Sequence, residues 1–210
     1  MGEKENKEKL ILDLCGGTGA WSDPYRKAGY DVRNITLPEF DITQTGFTIN
    51  AILFKDSERN RPMENPSNYI EFSKVYGILA APPCTMFSLA RTRAKAPRDF
   101  KEGMELVIAC LNIIWECRYK NNLAFWALEN PMGYLRQFLG KPAFTFDPCE
   151  FGDGYTKRTD LWGYFNKPLK IKIPKNKKFP SISDFTGSGQ SIRRAITPSK
   201  FAKAFFRANQ

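Results

Sequence analysis

The sequence predicts an α/β fold with a mainly parallel central sheet and helices on both faces, and three observations predict it. The chain opens with an apolar pentapeptide, a glycine turn, a helix start and a second apolar stretch, "LILDLCGGTGAWSDPYRKAGYDVRNIT", which is the order of a parallel unit. Two later apolar runs, "VYGILAAPPC" and "LAFWALENP", each stop abruptly at a proline turn carrying polar residues. Between them, apolar residues fall at helical spacing across residues 101–119.

The elements follow in order. Leu10 to Leu14 form a short buried strand. Ser22 is placed to cap the next helix, with Asp23 and Pro24 in its first turn, and Gly29 ends it. "DVRNIT" is the second strand, and "FTINAILF" reads as a third. Residues 55–68 are polar with two prolines and read as a loop. "VYGILAA" supplies the strand before Pro82 and Pro83. Met104, Val107, Ile108, Leu111, Ile114 and Trp115 mark the inward face of an amphipathic helix. "LAFWALEN" is the next strand. Beyond Gly140 short strand-like pieces appear, "AFTFDP", "DLWGYF" and "LKIKI". The last segment, "TPSKFAKAFFRAN", reads as a helix capped by Thr197, with Pro198 at its first position and an apolar face of Ala202, Phe205 and Phe206.

At 210 residues with 42% hydrophobic composition, one domain spanning 1–210 with a substantial core is expected. No apolar run is long enough to span a bilayer, and "MGEKENKEK" lacks the apolar centre of a signal peptide. The expectation is a cytoplasmic monomer with no membrane partner. Histidine is absent, which removes the Ser-His-Asp triad and every His-containing metal site. Five cysteines without CxxC spacing read as free thiols, and no metal is expected. The net charge of +10 favours a polyanionic partner or an anionic substrate. Residues 166–190 concentrate that charge, with six lysines and no acid between Asn166 and Lys178. This run reads either as a solvated basic loop or as a phosphate contact.

Three short stretches carry chemistry. "DLCGGTG" puts three glycines between a strand and a helix, where a backbone can approach a ligand closely. It is neither the GxGxxG fingerprint nor a phosphate-binding GK[ST] loop. "ILAAPPCTMFS" holds Cys84 in a rigid turn beyond a strand's carboxyl end, where open α/β sheets keep their ligand crevice. Taken singly, Cys84 is equally an inert thiol or a nucleophile, and Arg91 and Arg93 lie near enough in sequence to favour its thiolate. "ENP" places Glu129 at the end of an apolar strand, where desolvation raises a carboxyl's pKa and lets it donate a proton.

In this order, "LDLCGGTGAWS", "APPCTMFS" and "ALENP" resemble the cytosine-5 DNA methyltransferases. The resemblance covers most of residues 10–163 and, more weakly, the last helix. It implies a Rossmann-like S-adenosylmethionine-dependent methyltransferase fold. It also implies that the Cys84 thiolate adds to carbon 6 of cytosine while Glu129 contacts the exocyclic amine and protonates N3. Carbon 5 then takes the methyl group. Arg158 joins this catalytic set. The implied cofactor residues are Asp13, Cys15, Gly16, Gly17, Gly19, Trp21, Asp41 and Pro82, with Asp41 on the adenine amine. The implied substrate residues are Pro83, Ser88, Arg91, Arg93, Asn130 and Lys157.

The chain departs from the family pattern at four places. Thr36 and Leu37 stand where a carboxylate usually meets the ribose, with Glu39 as the substitute. Glu-Asn-Val is Glu-Asn-Pro. Asp160 replaces the second arginine of an Arg-x-Arg motif, so that contact passes to Arg158 or Lys157. A target-recognition region is reduced to the basic stretch 166–190. The resemblance therefore implies methylation of cytosine in DNA with little sequence specificity, and flipping of the target base if the substrate is duplex. A compact enzyme of this sort suits a bacteriophage or bacterial genome. Two other readings are a free cytidine nucleotide or RNA as substrate, and a non-catalytic binding protein on the same fold.

Overall fold

The computed structural model describes residues 6–44, 46–48, 51–53, 69–91, 96–120, 123–174, 176–185 and 194–210. The expected loop at 55–68 lies outside them, as does Arg93. Strand β1 (Leu10–Leu14) is buried throughout, and helix α1 (Asp23–Lys27) follows the glycine turn. Strand β2 (Asp31–Ile35) then pairs parallel to β1. In place of one strand, "FTINAILF" contributes two short ones, β3 (Gly46–Thr48) and β4 (Ala51–Leu53), which pair antiparallel and join β5 (Tyr69–Glu71) in a separate small sheet.

The main sheet continues with β6 (Val75–Ala80) and, after the long helix α2 (Phe100–Lys120), with β7 (Phe125–Pro131). A short helix α3 (Leu135–Leu139) leads to β8 (Phe144–Phe146) and β9 (Thr159–Tyr164), and α4 (Ser199–Ala208) closes the chain. The strand order is β2-β1-β6-β7-β9-β8. Its first three ladders are parallel, whereas β9 runs antiparallel to both β7 and β8. The sheet is therefore mixed rather than mainly parallel. The reversal lies beyond β7, where β8 and β9 are joined through the single turn Pro148–Phe151 rather than a full crossover helix.

Alternation along the strands divides the core between two faces. Leu10, Leu12, Leu14, Ile78, Ala80 and Leu128 face α2, while Ile11, Leu79, Ala127 and Leu161 face α1 and α4. Helices thus cover both sides of the sheet. The inward stripe of α2 is rotated from the expected one. Val107, Cys110, Ile113, Ile114 and Cys117 are buried, whereas Ile108 is 48% and Trp115 65% exposed. Two cysteines behave here as small apolar groups, which an inspection of the bulky residues alone overlooks.

Three further local expectations are corrected. "LKIKI" forms no strand, and its Leu169 is 90% exposed. Its Ile171 N–H donates at 2.8 Å to the carbonyl of Glu150, which lies in the turn Pro148–Phe151 and not in a strand. The cap of α4 is Pro198, not Thr197, and Ser22 makes no capping bond to α1. Instead Ser22 turns its hydroxyl onto a buried acid, Asp13. Among the described residues no helix is long and apolar enough to cross a membrane.

Candidate active site

Two loops leave the carboxyl ends of the adjacent strands β1 and β6. The first is the glycine turn, linked to the second by a bond from Ala81 N–H to Leu14 C=O (2.9 Å). Cys15 and Gly17 adopt left-handed backbone with φ of +55° and +54°, so the chain reverses sharply after β1. Gly16 is the position with no room: a Cβ there would lie 2.4 Å from the Asp13 carboxyl and 2.5 Å from Asn34 Oδ1. Gly17 is the opposite case, with nothing within 4 Å of its missing Cβ. Asn34 Nδ2 donates to Gly17 C=O (2.9 Å), and Gly17 N–H donates to Thr36 Oγ1 (3.3 Å). The Thr36 noted as a departure from the family pattern thus holds the turn, and the neighbouring Glu39 is exposed.

Under the turn, Asp13 is fully enclosed and accepts the Ser22 hydroxyl. Burial pushes its carboxyl up to about 6 against that hydrogen bond and the nearby Arg26. Its Oδ1 and Asn34 Oδ1 are buried acceptors without a partner among the described residues. Cys15 is partly buried and its thiol lies against Cys110, which lowers its pKa. Trp21 sits in the core against Phe201 and Phe205, with ring centroids 6.0 and 5.4 Å away. Asp41 commits Oδ1 to Thr43 N–H and Thr43 Oγ1, at 2.9 and 2.7 Å.

The second loop carries Cys84. Pro82 is buried and Pro83 exposed, and side chains from elsewhere hold the turn. Asn130 on β7 is fully buried and donates Nδ2 to Pro82 C=O at 3.0 Å. Its role in the structure is to fix the Cys84 loop to the strand of Glu129, since its amide has no solvent exposure. Arg98, which sequence reasoning missed, donates to the carbonyls of Met86 and Ser88, both at 2.9 Å.

A cleft of about 380 Å³ opens over this loop. It brings together Cys84, Ser88, Arg91, Lys157 and Arg158 of the expected site. Behind Lys157 stands Glu129: Nζ lies 3.8 Å from Oε1, and the two side chains are only 10% and 14% exposed. Burial raises the Glu129 carboxyl, Lys157 opposes the rise and Asp160 adds to it. Burial also pushes the Cys84 thiol up, the charge of Glu129 adds to this, and Lys157 opposes it. The cation acting on the thiol is therefore Lys157 rather than Arg91. Arg91 instead donates to Met86 Sδ and to the carbonyls of Pro97 and Ala96.

Arg158 reaches the cleft wall while its Nε pairs with Asp147 at 2.8 Å. Asp160 is fully buried and takes a two-toothed contact from Arg136, both bonds 2.6 Å, plus the Thr145 hydroxyl at 2.7 Å. Asp160 thus serves an ion pair that ties α3 to β9. The basic stretch supplies the cleft's outer wall at Ser181, Ile182 and Ser183, joined by Arg194. Ile182 N–H donates to Thr156 C=O and Thr156 N–H to Pro180 C=O, each at 2.9 Å, so this wall is anchored beside Lys157. Nothing in the spacing of these serines marks them in the sequence. No family model matches the chain, and no curated protein matches it.

Proposed function

We propose that the protein is a cytosine-5 methyltransferase of Rossmann-like fold acting on DNA, with Cys84 as nucleophile and Glu129 as proton donor. One observation carries the reading: Cys84 and Lys157 line one cleft, and the raised carboxyl of Glu129 stands directly behind Lys157. Burial that raises a carboxyl's pKa favours its protonated form, the form that can deliver a proton. Cys84 would add through its thiolate to carbon 6 of cytosine, and N3 would take the proton held by Glu129. Loss of the carbon 5 proton then expels the thiol, so every bond made to the enzyme is broken again.

S-adenosylmethionine would supply the electrophilic methyl group that carbon 5 takes. The glycine turn fits such a cofactor. Gly17 leaves open space, Asn34 Oδ1 is a buried acceptor awaiting a donor, and Asp41 lies beyond β2 for an amine. Gly16, Gly17 and Gly19 would line it, with Asp13 and Trp21 supporting the turn from below.

A free cytidine nucleotide is the second reading, and Lys170 favours it. This lysine of the basic stretch is bound internally, to Glu150 Oε2 and Thr145 C=O at 2.8 Å each, leaving fewer cations for a strand. The test is incubation with labelled S-adenosylmethionine and, separately, duplex DNA, single-stranded DNA, RNA and dCMP, followed by digestion. Label in 5-methylcytosine from DNA is expected. It should be lost in Cys84→Ser and mostly lost in Glu129→Gln, with cofactor binding retained. Parent-level labelling by Cys84→Ser overturns the covalent mechanism.

A further inference from the structure

The outer wall of the Cys84 cleft has chemistry that base methylation does not use. Arg194 lines the cleft, its Nε buried with no hydrogen-bond partner among the described residues, while Nη2 donates to Ser183 C=O at 3.3 Å. A buried guanidinium N–H without an acceptor is unfavourable unless a ligand supplies one. Beside it, the hydroxyls of Ser181 and Ser183 bond to each other, and Ser181 Oγ also accepts Ser183 N–H at 3.2 Å. Two hydroxyls sharing one proton leave a second O–H to donate outward. The same cleft is rimmed by Arg91, Lys157 and Arg158. Asp184, the carboxylate of this turn, accepts Ser181 N–H at 2.8 Å and so holds the turn's shape.

We propose that Arg194, Ser181 and Ser183 form a phosphate subsite, which, resting on the cytosine reading above, takes one phosphate of the cytidine substrate while its base reaches Cys84. The planar fork of arginine matches a tetrahedral oxyanion better than a single ammonium does. The surrounding cations give an anion a favourable approach. This phosphate belongs either to a mononucleotide or to a strand, and the same donors serve both.

The experiment is calorimetric titration of dCMP, deoxycytidine, dTMP and a short single-stranded deoxyoligonucleotide containing one cytosine. Each is added to the parent, Arg194→Ala, Arg194→Lys and Ser183→Ala, with circular dichroism confirming the fold of each variant. Arg194→Ala should weaken a phosphate-bearing ligand about ten- to a hundredfold, the loss of one charge-assisted contact. Deoxycytidine should bind as before, and Arg194→Lys should recover part of the loss. Ser183→Ala should weaken the same ligands severalfold. A loss for dCMP assigns the phosphate to a free nucleotide, and a loss confined to the oligonucleotide assigns it to a strand. Undiminished binding of both by Arg194→Ala overturns the subsite. If dTMP binds as tightly as dCMP and both need Arg194, the subsite stands and the cytosine reading fails.

Discussion

The glycine turn and the Cys84 loop leave neighbouring strands of one sheet edge, yet they are built on opposite plans. The glycine turn is held by its own backbone and by residues no farther off than the next strand, Asn34 and Thr36 included. Its positive φ angles, the enclosed Asp13 and the Ser22 hydroxyl all fall within residues 13–22. The Cys84 loop is held from afar by Asn130 of β7, 48 positions from Pro82, with the nearer Arg98 ahead of α2 adding to the grip. A local device is set by backbone sterics and tolerates little change at one position. A distant clamp instead couples two chemical groups, because Asn130 ties Pro82 to the strand that bears Glu129.

The comparison is broken most sharply at Asp13, where the expected effect is largest. Its folded-state pKa of about 6 lies above the ordinary 3.8. Its contribution to stability is therefore complete below pH 3.8 and is lost as pH rises through about 6. Roughly two units correspond to about 3 kcal/mol. The stability of Asp13→Asn relative to the parent should rise by about that amount between pH 4 and pH 7, as read by urea unfolding. A pH-independent difference would mean the acid is not buried as described.

Gly16→Ala and Gly17→Ala come next. Gly16→Ala drives a methyl group into the Asp13 carboxyl and should cost about 1–3 kcal/mol in denaturant unfolding through overpacking. Gly17→Ala meets open space, so its cost is the left-handed backbone alone, about 1 kcal/mol. Equal effects would contradict the crowding seen at Gly16. In the other loop, Asn130→Ala leaves the Pro82 carbonyl without its donor and should cost about 1–3 kcal/mol. Under the proposed function, methylation should fall at least tenfold while affinity for S-adenosylmethionine, proposed to rest on the first loop, is unchanged. A matching loss of cofactor affinity would show that the loops are not independent.

The smallest expected effect sharpens the electrostatics. Glu129→Gln removes a negative charge that pushes the Cys84 thiol up, so the thiol should titrate at lower pH in the variant. Lys157→Met removes the opposing cation and should move it higher. Alkylation rate against pH, followed at Cys84 by mass spectrometry, reads both signs without substrate. Movement in the same direction by the two variants would refute the arrangement of these three groups.

The same contrast explains what could be read from the sequence. β1, α1, β2, β6 and β7 were visible because apolar runs and turn residues are local signals, and they carry the turn, Cys84 and Glu129 to one edge. β9 was visible as a strand in "DLWGYF", but its reversed direction was not, since direction depends on which neighbour a short piece finds. The inward face of α2 was misphased because Cys110 and Cys117 do a bulky residue's work in the core. In the site, Cys84, Ser88, Lys157 and Arg158 line one cleft. The clamp made by Asn130 and the wall at Ser181 and Arg194 beside Cys84 arise only when distant segments meet. Asp160 was visible as a departure, but its partner Arg136 lies 24 positions away, so the ion pair had no local signature.

The central claim is that Cys84 attacks the cytosine ring, and trapping that bond tests it most directly. An oligodeoxynucleotide carrying 5-fluorocytosine can accept the thiolate and the methyl group. It cannot release the thiol, because fluorine does not leave as a cation as the carbon 5 proton does. Intact-mass measurement after incubation with S-adenosylmethionine should show one methylated oligonucleotide attached per protein, with peptide mapping placing it on Cys84 and no adduct in Cys84→Ser. Methylation of ordinary cytosine by the parent, with no adduct formed on the fluorinated strand, would contradict the account.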